Sequence, residues 1–167
     1  PVSAGLPKGV RAVGMGAEGG RTLFAGALDG MYRSRDYGSS WMSMGGYGFF
    51  PEGESLDPAW VSSVDAAGQR LLMITHSGSL FGSDDGGASW RRMLADQPLR
   101  VHGGAVASGE RPAVRLATSR GILASEDGGR TWAPWNCGLR RVSVQSISVG
   151  AHGGDAVLLG TNLGAFA

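Results

Sequence analysis

Apolar residues recur along the chain in short runs, and polar residues and glycines separate the runs. In four segments (22–33, 72–82, 114–124 and 157–167) two such runs flank a turn that contains glycine. A short apolar run, a turn and a second apolar run predict a β-hairpin. No segment shows the periodicity of an amphipathic helix. The pattern therefore predicts an all-β chain built from repeated hairpins.

Further apolar runs flank these hairpins and complete a four-stranded unit. One run precedes each hairpin, at 10–15, 61–64, 101–106 and 142–149, and another follows the first three, at 41–44, 90–94 and 132–135. We call the four strands of a unit A to D. Four antiparallel strands, repeated along a chain, are typical of β-propeller blades. The predicted blades span 10–44, 59–94, 101–135 and, as a partial blade, 142–167.

An eight-residue pattern, S-x-D-x-G-x-x-W, lies between strands C and D in segments 34–41, 83–90 and 125–132, which we call the box turns. A tight turn favours glycine, the Asp and Ser oxygens can accept backbone N–H groups, and the Trp can pack between blades. We predict a structural role for these residues. They are Ser34, Asp36, Gly38, Trp41, Ser83, Asp85, Gly87, Trp90, Ser125, Asp127, Gly129 and Trp132.

A calcium loop is the alternative interpretation of the box turns, because Asp84 and Asp85 precede Gly86 and Gly87. A dedicated calcium cage needs alternating oxygen ligands and a distal Glu, and no copy has that spacing. The histidines His76, His102 and His152 occur singly, without the spacing of zinc ligands. The sequence therefore predicts neither a metal nor another cofactor.

The box turns resemble the Asp-box, or BNR repeat, of β-propeller proteins. The whole chain most resembles photosystem II stability/assembly factor-like propellers, whose running pattern G-T-x-x-G, S-x-D-G-G-x-T-W and G-L-P is matched at 160–164, 125–132 and 5–7. The resemblance implies a non-catalytic binding platform that meets protein partners partly through an arginine-rich face. These motifs belong to the scaffold, so the photosystem role itself is not carried over.

The two ends of the chain complement each other in this scheme. Residues 5–8 precede the first strand A as residues 138–141, which follow a strand D, precede the last strand A. Residues 1–9 are therefore predicted to contain a strand D, and the chain finishes with strands A to C. Three assemblies would complete a ring. The chain is a piece of a longer propeller, or it pairs with a second copy in a homodimer, or it closes alone with four blades.

Propeller topology places the B–C turns and the D–A loops on one face, the D–A/B–C face, and the box turns on the opposite face. Loops on a rigid scaffold commonly carry binding sites, and arginine favours carboxylates and phosphates. We therefore predict a partner-binding surface for a protein or another anionic partner. The surface comprises Lys8, Arg11, Tyr47, Phe49, Phe50, Arg100, Arg120, Arg140 and Arg141. The alternatives are solubilising arginines and aromatic rings that cap a blade interface.

Catalytic signals are weak, so the sequence favours a non-enzymatic function. The likeness to sialidases fails, since only Glu110-Arg111-Pro112 is faintly similar to one of their motifs. A glycosidase needs two carboxylates across a cleft, and Asp29, Glu52, Glu54 and Asp57 include no evident pair. Part of a carbohydrate-active propeller, either a glycoside hydrolase or a lectin, is the alternative prediction.

Composition limits the remaining classes of function. The formal net charge is +1 at pH 7, so no global field favours nucleic acid, and no run reaches the roughly 20 apolar residues of a membrane span. Glycine accounts for 30 of 167 residues, as a fold of tight turns needs. The single cysteine, Cys137, excludes an internal disulfide framework. The sequence leaves the compartment open, with an extracytoplasmic location favoured.

Overall fold

The computed structural model describes residues 4–6, 9–10, 12–15, 21–28, 30–44, 61–94, 99–107, 113–135, 142–149 and 157–166. These residues form β-strands, turns and bends, without a helix. The strands make four antiparallel sheets, in which strands that are consecutive in sequence are neighbours. The prediction of an all-β chain made of propeller blades is confirmed.

We call the four sheets blades 1 to 4. Blade 1 contains β1 (Ala12–Met15), β2 (Leu23–Ala27), β3 (Gly30–Ser34) and β4 (Met42–Ser43). Blade 2 contains β5 (Val61–Ala67), β6 (Arg70–Thr75), β7 (Leu80–Ser83) and β8 (Arg91–Met93). Blade 3 contains β9 (Val101–Val106), β10 (Val114–Thr118), β11 (Gly121–Ser125) and β12 (Ala133–Pro134). Blade 4 contains β13 (Val144–Val149), β14 (Val157–Thr161) and β15 (Gly164–Phe166).

The hydrophobic core lies between the blades rather than within them, because each sheet buries its apolar faces on its neighbours. One cluster joins blades 1 and 2 and includes Phe24, Met31, Met73 and Phe81. A second cluster joins blades 2 and 3, and a third joins blades 3 and 4. The A strands contact one another in order, β1 with β5, β5 with β9 and β9 with β13. Among the described strands, those of blade 4 do not pack against those of blade 1 as neighbouring blades pack against each other.

Ala4 lies beside blade 1. Ala4 forms a parallel bridge with Ser40, and the Trp41 amide donates a hydrogen bond to the Ala4 carbonyl at 3.0 Å. Residues 1–3 lie outside the described part of the chain. A strand D at 1–9 that closes the ring therefore stays a prediction, as do the three ways of completing it.

Candidate functional site

The B–C turns of blades 2, 3 and 4 are each held by the threonine that ends strand B. Thr75 Oγ1 accepts the Ser79 amide at 3.1 Å. Thr118 Oγ1 accepts the Arg120 amide at 3.1 Å and donates to the Gly121 carbonyl at 2.8 Å. Thr161 makes the equivalent bonds to Leu163 and Gly164. Because Thr75 and Thr118 are buried, these bonds fix two of the turns firmly on the scaffold.

Arg100 and Arg120 lie together at one end of blade 3. The Ser119 amide donates a hydrogen bond to the Arg100 carbonyl at 3.1 Å, which ties the B–C turn to the D–A loop. Both arginine side chains are exposed. The turn that carries Arg120 is the one held by Thr118, so the positive charge is presented from a fixed backbone.

A cleft of about 270 Å³ opens beside Arg100, between blades 2 and 3. Its walls are the B–C turn of blade 2, the end of strand D and the start of the next strand A, and they include Ser77, Ser79, Leu94, Leu99 and Arg100. The cleft combines apolar side chains with hydroxyl groups and the guanidinium groups of Arg92 and Arg100. Such a lining suits a short segment of a partner that carries a negative charge.

The remaining residues of the predicted binding surface lie outside the described part of the chain. They are Lys8, Arg11, Tyr47, Phe49, Phe50, Arg140 and Arg141. The carboxylates considered for glycosidase chemistry, Asp29, Glu52, Glu54 and Asp57, also lie outside it. The roles predicted for these residues in partner binding and in glycosidase chemistry therefore stay predictions.

Each box turn is closed by a compact set of hydrogen bonds on the opposite face. In blade 2, Ser83 Oγ accepts the Gly87 amide at 2.8 Å and donates to Asp85 Oδ1 at 2.8 Å. The same Oδ1 accepts the Ser89 amide at 2.9 Å, and Oδ2 accepts the Ser89 hydroxyl at 2.6 Å. The turns that begin at Ser34 and Ser125 repeat these bonds.

These hydrogen bonds keep the box carboxylates ionised. The Ser40 hydroxyl, the Ser40 amide and the Ser34 hydroxyl lower the pKa of Asp36 to about 2. In blade 2, the hydroxyl and amide of Ser89 and then the hydroxyl of Ser83 hold the pKa of Asp85 well below the usual range. In blade 3, the hydroxyl and amide of Thr131 and then the hydroxyl of Ser125 do the same for the pKa of Asp127. Within the described ranges, no group of three His, Cys, Asp or Glu residues is placed to hold a metal ion. The carboxylate oxygens instead accept hydrogen bonds within their own turns.

The box tryptophans differ in their surroundings. Trp90 is buried in the cluster between blades 1 and 2, and Trp132 packs against the cluster between blades 2 and 3. Trp41 is half-buried and donates its indole N–H to the Gly38 carbonyl at 3.0 Å. Gly87, with φ +86°, lies beside Met44 of the preceding blade, where an added Cβ would collide with the Met44 methyl group. These contacts support the structural role that we assign to the box turns.

Replacing Ser83 with alanine tests this structural role. The change leaves the buried Gly87 amide without its acceptor, and we expect it to lower the free energy of unfolding by about 1–2 kcal/mol. Urea unfolding followed by tryptophan fluorescence would measure the loss. Ser39→Ala is the control, because Ser39 is an exposed box-turn residue and blade 2 already has Ala88 at that position. Equal stabilities of the two variants would contradict the role.

Asp65 is a partly buried acidic residue that the sequence analysis did not single out. It lies on strand A of blade 2, and its Oδ2 accepts the Val106 amide of blade 3 at 2.7 Å. Burial raises the pKa of this carboxyl group, and the Val106 bond opposes the rise. In the sequence, this residue could have been noticed as a single acidic residue within a strand A, at the position where blade 3 has Ala105. Its contact indicates a bridge between neighbouring A strands.

The described part of the chain holds no helix with the length and hydropathy needed to cross a lipid bilayer. No protein-family model and no curated protein match this chain. Solved structures do match, and the three described below are longer chains. The class of protein that the fold defines is therefore the β-propeller.

YCF48 from Cyanidioschyzon merolae is similar over 95% of this chain, at 17% identity and a TM-score of 0.66. YCF48 bound to D1 peptide is similar over 92%, at 15% identity and a TM-score of 0.60. The Niastella koreensis GH74 enzyme is similar over 92%, at 15% identity and a TM-score of 0.68. This chain spans 52% and 48% of the two YCF48 chains and 26% of the GH74 chain. At these identities the likeness establishes the fold alone.

Proposed function

We propose that this chain is a non-catalytic β-propeller scaffold that recognises a protein or another anionic partner through its D–A/B–C face. The observation that carries the proposal is the pair of exposed arginines, Arg100 and Arg120, whose backbones are joined by the hydrogen bond between Ser119 and Arg100. Two exposed arginines on a fixed backbone, one of them lining a cleft, suit bidentate recognition of the carboxylates of a partner.

The likeness to solved propellers supports a protein partner. One structure of the same fold is YCF48 bound to D1 peptide, so a propeller of this architecture binds a peptide. We extend the surface on this chain to Lys8, Arg11, Arg140 and Arg141, and to the aromatic residues Tyr47, Phe49 and Phe50. The carbohydrate-active alternative is supported by the likeness of fold to the GH74 enzyme. Within the described residues, no pair of carboxylates across a cleft adds to that support.

Charge reversal at both arginines tests this function. We expect R100E/R120E to weaken binding of a fluorescent Glu-rich peptide at least about tenfold, because each charge-assisted hydrogen bond contributes about 1.5–3 kcal/mol. Fluorescence anisotropy would measure affinity, and added NaCl should weaken binding to the wild-type chain. A peptide with lysine in place of glutamate is the ligand control, and R130E, in the box turn of blade 3, is the protein control. Unchanged affinity in a folded R100E/R120E variant would refute the proposed face.

A further inference from the structure

A second cleft lies on the opposite face, between the box turns of blades 1 and 2, and has a volume of about 550 Å³. Blade 1 contributes Arg21, Arg33 and Arg35, and blade 2 contributes Gln69 and Asp85. The volume falls within the range of roughly 300–1,000 Å³ that is usual for small-molecule sites. Three arginines therefore line one cleft on the box-turn face, at the opposite end of the blades from the D–A/B–C face.

At the position of Arg35, blades 2 and 3 carry an acidic residue that pairs with nearby arginines, whereas blade 1 carries an arginine. The residue after the first Ser of the box turn is Asp84 in blade 2 and Glu126 in blade 3. Asp84 lies 4.0 Å from Arg70 Nε and 3.7 Å from a terminal nitrogen of Arg91, and Glu126 lies 2.6 Å from Arg115. Blade 1 carries a cation at this position. None of the ion pairs within the described residues includes Arg21, Arg33 or Arg35.

The backbone holds these like charges together. Arg21 Nε donates to the Arg35 carbonyl at 3.0 Å, and the Tyr37 amide donates to the Arg21 carbonyl at 3.1 Å. Arg33 is half-buried, and its pKa is lowered by burial and then by the charge of Arg35. Arg33 and Arg35 therefore repel each other in the free protein, and a bound anion would remove that cost.

The charge of the cleft selects the class of anion. Asp85 is the carboxylate on its wall, and the pKa of Asp85 is held low by Ser89 and Ser83, so it remains ionised within its own turn. Among the described residues of the lining, three cations and one anion give a net charge of +2. A phosphate monoester carries close to two negative charges near pH 7 and accepts bidentate hydrogen bonds from arginine. A carboxylate carries only one.

We propose that this cleft binds a small phosphate monoester of the size of a sugar phosphate, with the phosphate group held by Arg21, Arg33 and Arg35. The rest of the cleft is lined by Thr22, Phe24, Gly68, Gln69 and Gly86, which would contact the uncharged part of the ligand. This site is independent of the partner-binding function proposed above, since the two lie on opposite faces.

The chain itself supplies the substitutions that test the site. R33A/R35E gives blade 1 the residues that blade 3 carries at these positions, Ala124 and Glu126, so the fold has a precedent for the change. R130E, at an exposed arginine of the blade 3 box turn that lines neither cleft, is the control. Isothermal titration calorimetry with inorganic phosphate and then with glucose 6-phosphate would measure affinity for the full chain, and acetate would serve as the monoanionic probe.

We expect saturable one-to-one binding of both phosphates to the wild type, weakened at least about tenfold in R33A/R35E and unchanged in R130E. The melting temperature of R33A/R35E without ligand should equal or exceed that of the wild type, since a repulsion is removed. If the double variant unfolds, R35D, which gives blade 1 the residue of blade 2, takes its place with the same expected loss.

Three results would overturn the proposal. The first is the absence of saturable phosphate binding, or its persistence in a folded R33A/R35E or R35D variant. The second is acetate binding as tight as phosphate binding, which would assign the site to carboxylates. The third is a phosphodiester oligonucleotide that binds while both small phosphates do not, which would assign it to a polyanion. Loss of peptide binding in R100E/R120E with phosphate binding intact would separate the two sites.

Discussion

Replacing Phe81 with alanine is expected to lower the free energy of unfolding by about 3–5 kcal/mol, the range for removing a fully buried aromatic ring. Phe81 is 1% exposed and lies on strand C of blade 2, in the cluster that also contains Phe24 and Met31 of blade 1. The cavity would therefore open between two blades. Since small domains are stable by only about 5–15 kcal/mol, this single change removes a large share of the total.

Urea unfolding monitored by circular dichroism would measure this loss. Met42→Ala is the control, because Met42 is 68% exposed and its truncation should change stability by no more than about 0.5 kcal/mol. Repeat proteins are stabilised by nearest-neighbour interfaces, so the Phe81→Ala variant should also unfold less cooperatively. Similar stabilities of the two variants would show that the interface between blades 1 and 2 is not a main source of stability.

Gly26→Ala should have the second largest effect, a loss of about 3 kcal/mol, at the upper end of the range for overpacked cores. Gly26 lies on strand B of blade 1, and an added Cβ would lie 2.6 Å from the Val61 Cβ on strand A of blade 2. The position of a Cβ is fixed by its backbone, so no rotamer of Val61 relieves the collision. The two blades would have to separate.

Gly104→Ala provides the matched control for this prediction. Gly104 lies on strand A of blade 3, where an added Cβ would meet the ends of the Leu72 and Leu116 side chains, the latter at 3.0 Å. Leucine termini can move by a change of rotamer, so the loss of stability should be clearly smaller than for Gly26→Ala. Thermal unfolding of both variants under one condition would compare them. A larger loss at Gly104 would mean that fixed backbone contact is not what limits the spacing of the blades.

The sequence alone determined the strands and the box turns, because the forces that form them are local. The bonds of Ser83 reach only Asp85 and Gly87, so the same pattern of residues forms the same turn in three blades. Hairpins such as β10–β11 are likewise set by runs of apolar residues around a short turn. The threonine that holds the B–C turn in blades 2, 3 and 4 also acts locally, although its role was not inferred from the sequence.

Only the tertiary structure decided which residues meet between blades. The sequence placed Arg100 and Arg120 on one face, and the Ser119 hydrogen bond brings them together there. The cleft formed by Arg21, Arg33 and Arg35 with Gln69 and Asp85 was not predicted, since these residues belong to different blades and different turns. The contact of Asp65 with Val106 spans 41 residues in sequence. Such pairs are set by the packing of one sheet on the next, which no local pattern encodes.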